Sequence, residues 1–192
     1  MAAGLFERID GTPASELVRF NANGTIDAAS QLNVGNVGPV YRTALQSNGQ
    51  ILITCYFPPY NGTTRNGLAR LNPGGSLDAA FLPALDPNSS IDNLTVQPDG
   101  KILAAGYLLT NGNPTEVGLV RLLADGAIDN TFNAPAALVG GTIRSNFGDG
   151  IAVQPDGKSV VADFSGNGGQ GGSPQHQRFG RCHVSNGYHS WL

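Results

Sequence analysis

Residues 170–192 hold most of the side chains that could bind a metal ion through nitrogen or sulfur. All three histidines of the chain and one of its two cysteines lie there: His176, Cys182, His183 and His189. Imidazole and thiolate are good zinc ligands, but the spacing of these four residues fits no familiar zinc pattern. We therefore expect no metal site here, and no cofactor elsewhere in the chain.

A glycine-rich segment at residues 166–171, GNGGQG, matches the phosphate-binding pattern G-x-G-x-x-G. That pattern requires a following helix whose N-terminus faces the pyrophosphate. Pro174 and further glycines follow instead. The segment is predicted to be a loop without a nucleotide.

Two weaker patterns support rival functions. Acidic side chains in predicted loops could converge on a calcium ion, as a hydrolase of the lactonase or phosphotriesterase type would need. These are Asp10, Glu16, Asp86, Asp92, Glu116 and Asp149. A row of tyrosines could bind a carbohydrate, although core packing explains most aromatic residues. These are Tyr41, Tyr56, Tyr60 and Tyr107.

Three further aspartates, Asp27, Asp78 and Asp129, recur at one position of an internal repeat. Each ends an eleven-residue segment: LVRFNANGTID at residues 17–27, LARLNPGGSLD at 68–78 and LVRLLADGAID at 119–129. The interval from each segment to the next is the same. A residue that recurs in every unit is best explained by a structural role, such as accepting backbone hydrogen bonds at a turn.

A second motif runs beside the first. It reads LQSNGQILI from Leu45, VQPDGKILA from Val96 and VQPDGKSVV from Val153. The first interval equals that of the aspartate motif, whereas the second is longer and places a short insertion near residues 140–148. Pro98 and Pro155 suit the first corner of a tight turn, and Gly49, Gly100 and Gly157 suit the position where φ becomes positive. These five are predicted to be structural repeat positions.

The elements that position these residues are short strands. In the best-formed unit we expect strands at residues 91–96, 101–108, 118–123 and 127–132. Four antiparallel strands in about 50 residues are typical of one β-propeller blade. The predicted fold is all-β, an incomplete ring with units at about 1–36, 37–87, 88–138 and 139–168. The two full blades lie at 37–81 and 91–132, and two partial blades flank them. Recurrent Leu, Val and Ile positions should pack between neighbouring blades.

The repeat pattern stops after Gly169, and residues 169–192 are predicted to be an irregular tail. Reading the codons of residues 172–184 one nucleotide later permits VRLNTNGSVDATF, which is the motif that is due there. We interpret the tail as an out-of-frame translation of the next repeat. The coding DNA tests this hypothesis, since a single-base shift must restore the motif.

The bulk composition excludes several classes of function. The net charge of −3 argues against nucleic acid, whose binding proteins usually carry a basic face. No apolar run long enough to cross a bilayer is present, so no membrane span is expected. Two cysteines, Cys55 and Cys182, do not make a disulfide framework.

The two recurring motifs together resemble the bacterial delta-60 repeat over residues 2–166. The resemblance implies a β-propeller within a large secreted or surface-attached bacterial protein, and it implies no catalytic residues. The expected function is therefore a non-catalytic structural or interaction scaffold, extracellular and not an enzyme. Its partners are unknown, and open blade faces could cause self-association.

Overall fold

The computed structural model describes residues 2–3, 8–9, 11–13, 17–27, 40–55, 67–110, 113–134, 151–162 and 182–184. Every regular element in these ranges is a β-strand, and every strand pairing is antiparallel. The strands are β1 (Ala2–Ala3), β2 (Arg8–Ile9), β3 (Thr12–Pro13), β4 (Leu17–Val18), β5 (Val40–Leu45), β6 (Ile51–Cys55), β7 (Leu68–Leu71), β8 (Ser90–Val96), β9 (Ile102–Thr110), β10 (Asn113–Leu122), β11 (Ile151–Val153), β12 (Ser159–Ala162) and β13 (Cys182–Val184). The all-β expectation is confirmed.

Three of the sheets have three strands each and repeat one another. Their orders are β5-β6-β7, β8-β9-β10 and β11-β12-β13, while β1-β4 and β2-β3 form two smaller sheets. The register follows the sequence repeat, because Ile51 pairs with Leu71 and Ile102, at the equivalent position of the next unit, pairs with Leu122. The expected first three strands of a unit are therefore present.

The fourth strand differs from the expectation. In place of a strand at residues 127–132, the structure has one isolated bridge between Leu122 and Ile128. The amide of Asp129 still donates to the carbonyl of Arg121, at 2.9 Å. The carbonyl of Asp129 then accepts from the amide of Phe132, at 3.1 Å, so the backbone turns away from the sheet. The two units at residues 40–81 and 90–132 are thus each three strands and a bridge.

The tight turns adopt one geometry at both hairpins of a unit. In the turn at residues 97–101, Gln97 N donates to Lys101 O at 2.8 Å and Gly100 N donates to Gln97 O at 2.9 Å. Gly100 has φ of 83°, in the left-handed region that only glycine enters at little cost. The turn at residues 123–127 repeats these two bonds, and Gly126 has φ of 97°. The same turn chemistry therefore sets both strand connections.

The hydrophobic core lies between neighbouring sheets. Strand β6 is buried along its whole length, with alternate residues facing opposite neighbours. Ile51 and Ile53 pack with Leu17 of the first unit, whereas Leu52 packs in a cluster with residues of the third unit. A third cluster joins Leu103 and Leu119 to Ile151 and Val153 of the fourth unit. A single sheet would leave an apolar face in water, so each unit depends on its neighbours.

The tail contributes one described strand. Val184 in β13 pairs with Val160. Val160 is the counterpart of Leu103 in the second motif, and Leu103 pairs with Arg121 in the third unit. Val184 therefore takes the register position that Arg121 holds in the repeat. The rest of residues 169–192, the glycine-rich segment at 166–171 and the insertion at 140–148 lie outside the described residues.

Candidate functional site

Each recurring aspartate forms an ion pair with the arginine eight residues before it. In all three pairs the arginine Nε lies 2.8 Å from the aspartate Oδ2. The aspartate amide also donates to the arginine carbonyl, at 2.8–2.9 Å. The pairs are Arg19–Asp27, Arg70–Asp78 and Arg121–Asp129. Both residues are positioned by the bridge that follows the third strand of the unit.

The second carboxylate oxygen closes the turn after the bridge. Asp78 Oδ1 accepts from the amide of Ala80 at 3.0 Å. Asp129 Oδ1 accepts from the amide of Thr131 at 3.0 Å and from its hydroxyl at 2.6 Å. Aspartate favours such turns because its short side chain reaches the backbone two residues on.

In two of the three pairs the arginine also donates to the next unit through Nη1. Arg19 Nη1 donates to the carbonyl of Pro73 at 2.9 Å, and Arg70 Nη1 donates to the carbonyl of Ala124. The sequence separation is the same in both bonds, so the same contact occurs at two successive interfaces. We call the arginine and its aspartate the clamp, together with the phenylalanine that follows the aspartate by three residues in the second and third units; the first unit has Ser30 at that position.

The phenylalanine of the clamp is covered by the neighbouring unit. Arg70 lies over the ring of Phe81, 4.4 Å from its centroid, and Phe81 is fully buried. The turn at residues 123–127 closes over this ring, and Gly126 O accepts from the amide of Ala84 at 3.0 Å. The clamp thus combines an ion pair, a cation–π contact and an apolar contact at one interface.

Local hydrogen bonds lower the pKa of two of the recurring aspartates. Burial opposes ionisation of Asp78, but hydrogen bonds from Arg70 and from the amide of Ala80 outweigh it and hold its pKa below the ordinary value. The hydroxyl of Thr131 has the largest effect on Asp129. With the amide of Thr131, Lys101 and Arg121, it outweighs burial and lowers the pKa of Asp129 far below the ordinary value. Both carboxylates are anions at neutral pH.

A unit-specific residue immediately before the second strand completes each of these two sites. Gln50 Nε2 donates to Asp78 Oδ2 at 3.0 Å. Lys101, at the same repeat position in the next unit, places its Nζ 3.1 Å from Asp129 Oδ2. Asp129 is the most enclosed of the three carboxylates, with 4% of its side chain exposed. Its oxygens have protein donors on several sides, which leaves little room for a substrate.

The remaining structural repeat positions lie in the first hairpin turn of each unit. Gly49, Gly100 and Gly157 have φ of 83°, 83° and 82°. Pro98 and Pro155 precede the turn aspartates, Asp99 and Asp156, whose Oδ1 atoms each accept from the amide two residues on, at 3.1 Å. Lys158 hydrogen-bonds to Asp156 and lowers the pKa of that exposed carboxyl group. The structure therefore places these residues in turns.

The rival candidates are only partly described. Asp86 Oδ1 accepts from the amide of Asn88 at 2.9 Å in a connecting turn, and Asp92 is half-buried on β8. For Glu116 on β10 only the backbone is described. Asp10, Glu16 and Asp149 lie outside the described residues. No group of three or more His, Cys, Asp or Glu side chains that could hold a metal occurs in the described part of the chain.

Of the candidate tyrosines and the His and Cys residues of the tail, the structure likewise describes only some. Tyr41 on β5 is 53% exposed, and Tyr107 on β9 is half-buried. Tyr56, Tyr60, His176 and His189 lie outside the described residues, and for Cys182 and His183 only the backbone of β13 is described.

Cys55 is buried on β6, and burial raises the pKa of its thiol, which keeps it protonated and unreactive. No helix in the described ranges has the length and hydropathy to cross a membrane.

A family model described as a domain of unknown function (DUF5122) beta-propeller matches residues 1–29, 46–81 and 97–132, which together exceed half of the chain. The second and third matches begin at Gln46 and Gln97 of the first hairpin turn and end at Phe81 and Phe132 of the clamp. The chain belongs to the DUF5122 beta-propeller family. No curated protein matches this DUF5122 chain. The family membership confirms the propeller-type repeat.

Sequence reasoning identified the aspartates of this DUF5122 unit but not their partners. Arg19, Arg70 and Arg121 stand in the same recurring motif, each at one fixed distance before its aspartate. An arginine and an aspartate of opposite charge thus recur together at a fixed separation, and this pattern could have predicted the ion pairs. The interface contact of Phe81 with residue 126 carried no such signal, because it joins residues that are far apart in the chain and belong to different units.

Proposed function

We propose that the chain is a non-catalytic structural or interaction scaffold of delta-60-type repeats within a larger secreted or surface-attached bacterial protein. The observation that carries the proposal is that the recurring carboxylates bind arginines of their own unit. Each is bound by an arginine at 2.8 Å, and two of those arginines also bind the next unit. The polar residues that the repeat preserves thus hold units together.

A catalytic or calcium-binding carboxylate would have a different environment. It would be specific to one unit and would face other carboxylates, since calcium is bound by several oxygen ligands. Asp78 and Asp129 instead face cationic and amide donors. This difference supports a structural role for the repeated carboxylates. Of the candidate calcium ligands, Asp86 likewise accepts from nitrogen donors, the amide and the side-chain Nδ2 of Asn88, both at 2.9 Å.

Substitution of Asp78, a repeated aspartate, and of Asp86, a candidate calcium ligand, separates the two functions. In a scaffold, Asp78→Asn should lower the urea midpoint of unfolding, because Arg70 loses a charged partner. In a calcium site, Asp86→Asn, at one of the candidate calcium ligands, should raise the midpoint, because repulsion between clustered carboxylates is relieved. Asp125→Asn is the matched control, since Asn23 already stands at that position in the first unit and makes the same turn bond.

Ligand measurements complete the test. Calorimetry with calcium up to about 1 mM covers the affinity range of extracellular calcium modules. We expect no binding heat and no hydrolysis of a lactone or of a phosphotriester. Calcium binding together with hydrolysis would overturn the proposal in favour of the hydrolase. Specific binding on a glycan array that is lost in Tyr41→Ala would favour a carbohydrate-binding module instead.

A further inference from the structure

Asparagine stands before glycine in the first hairpin turn of the second unit, where the later units carry aspartate. The sequence is Asn48-Gly49 here and Asp-Gly at residues 99–100 and 156–157. Asn48 is exposed, and its Oδ1 accepts from the amide of Gln50 at 3.0 Å. Aspartate makes the same bond in the later turns, at 3.1 Å. Either side chain therefore suits the turn itself.

A line of hydrogen bonds joins Asn48 to the clamp of its own unit. Asn48 Nδ2 donates to Gln50 Oε1 at 2.8 Å. Gln50 Nε2 donates to Asp78 Oδ2 at 3.0 Å, and Asp78 binds Arg70. An ionised Asp78 can only accept, so the Gln50 amide must turn its nitrogen to Asp78 and its oxygen to Asn48. Residue 48 therefore has to supply an N–H group, which an aspartate lacks.

The third unit changes both of these positions together. Asp99 stands at the position of the asparagine and Lys101 at that of the glutamine. Lys101 Nζ lies 3.7 Å from Asp99 Oδ2 and 3.1 Å from Asp129 Oδ2, so one cation serves both carboxylates. The fourth unit likewise pairs an aspartate with a lysine, at 2.7 Å. Asparagine thus occurs with glutamine and aspartate with lysine, and an aspartate beside glutamine would be a mismatch.

The Asn48-Gly49 pair has the chemistry that creates this mismatch. Asparagine is a labile residue, and glycine, which has no Cβ, leaves its backbone nitrogen free to reach the side-chain carbonyl. Gly49 N loses its proton and bonds to Asn48 Cγ, and the side-chain nitrogen leaves as ammonia, which gives a succinimide. Water then breaks one C–N bond of the ring. Cleavage at Cγ leaves an aspartate, and cleavage at the backbone carbonyl leaves an isoaspartate.

The folded turn sets when this reaction occurs. The attacking nitrogen of Gly49 donates its proton to Gln46 O at 2.9 Å. The reaction therefore proceeds from the open form of the turn, and exposed turns of this kind open at low cost.

We propose that Asn48 is a deamidation site and that its conversion to aspartate loosens the clamp of the second unit. The new carboxylate faces Gln50 Oε1, so two acceptors meet with no proton between them. Gln50 rotates its amide to donate to residue 48, and Asp78 loses a donor. Asn23, which also precedes a glycine, provides the contrast. Its Oδ1 accepts from the amide of Thr25 at 3.1 Å and from its hydroxyl at 2.7 Å, and a carboxylate accepts both bonds equally well.

Ageing of the full chain in mildly alkaline buffer tests the modification. Peptide mass mapping should show conversion to aspartate and isoaspartate at residue 48. Asn72 is the matched control, because Pro73 follows it and has no N–H group with which to form the ring. An Asn48 side chain that ages no faster than Asn72 would overturn the site.

A set of variants tests the link to the clamp. Asn48→Asp should lower the folding equilibrium constant about tenfold, the size of one lost hydrogen bond to a charged group, whereas Asn23→Asp should leave it unchanged. Adding Gln50→Lys to Asn48→Asp should restore the loss, since it recreates the pair of the third unit. Gln50→Lys alone gives the baseline, so that a double-mutant cycle in urea isolates the coupling.

Asn48→Ser keeps the measurement informative if Asn48→Asp does not fold. Serine offers an acceptor to the turn and a hydroxyl donor to Gln50 Oε1 but cannot deamidate. On ageing, its urea midpoint should fall less than that of the wild type. Equal effects of the aspartates at positions 23 and 48, an absence of coupling in the cycle, or equal ageing of the serine variant and the wild type would overturn the link.

Discussion

The ring of Phe81 lies so close to Gly126 that a Cβ on residue 126 would stand 3.1 Å from its Cε2 atom. The backbone of Leu82 and Pro83 lies within 3.3 Å of the same point. Gly126 is thus required twice, once by its φ of 97° and once by the clamp phenylalanine of the preceding unit. The two requirements can be separated by substitution.

Gly126→Ala should destabilise the protein more than Gly24→Ala. Both residues have positive φ, so both alanines are strained by about 1 kcal/mol. Only residue 126 adds overpacking against a neighbouring unit, which typically costs about 1–3 kcal/mol more. Urea unfolding of the two variants measures the difference. Equal losses would show that the Phe81 contact is not tight.

Phe81→Ala should lower the free energy of unfolding by about 3–5 kcal/mol, the usual cost of removing a buried phenylalanine. Phe132→Ala is the matched comparison, because Phe132 holds the same repeat position but is only half-buried. Its loss should be clearly smaller. Chemical denaturation followed by circular dichroism measures both losses of unfolding free energy. A larger loss in Phe132→Ala than in Phe81→Ala would contradict the prediction.

Acid should weaken the protein through Asp129 and Asp78. Their pKa values are lowered in the folded state, so their contribution is fully present above the ordinary value of about 3.9 and is lost as the pH falls through the folded values. Asp129→Asn should therefore be less stable than the wild type at pH 7, with a gap that narrows below about pH 4. Thermal melts from pH 7 to pH 2 measure the gap. A constant gap would mean that the carboxylate charge does not matter.

The local part of this fold could be predicted from sequence. Turn residues at Gln97 to Lys101 and their repeats act within five positions, and apolar runs between them mark strands, so β8 and β9 were located to within two residues. The fourth strand was overestimated, because the turn formed by the Asp129 side chain competes with sheet pairing and the apolar pattern at residues 127–132 does not reveal it.

The site was predictable only in part. A recurrent aspartate indicates a structural role, but its partners depend on which units become neighbours. The bond from Arg70 to Ala124 joins residues 54 positions apart, and no local pattern encodes it. The exposure of Gly24 against the burial of Gly126 is likewise a property of neighbours, since the two turns have nearly the same local geometry.

Hydrogen exchange in an Arg70→Lys variant tests most directly whether the clamp couples neighbouring units. Lysine keeps a charge near Asp78 but cannot bind Asp78 and Ala124 together as the guanidinium group does. The amide of Gly126 donates to Leu123 within its own hairpin turn, and the amide of Ala84 donates to Gly126 across the interface. We predict that both amides exchange about tenfold faster in the variant, equivalent to about 1.4 kcal/mol. The amide of Gly157, in a turn that the clamp does not touch, should keep its rate. Unchanged rates at Gly126 and Ala84, with faster exchange confined to the turn after Asp78, would contradict the clamp as a link between units.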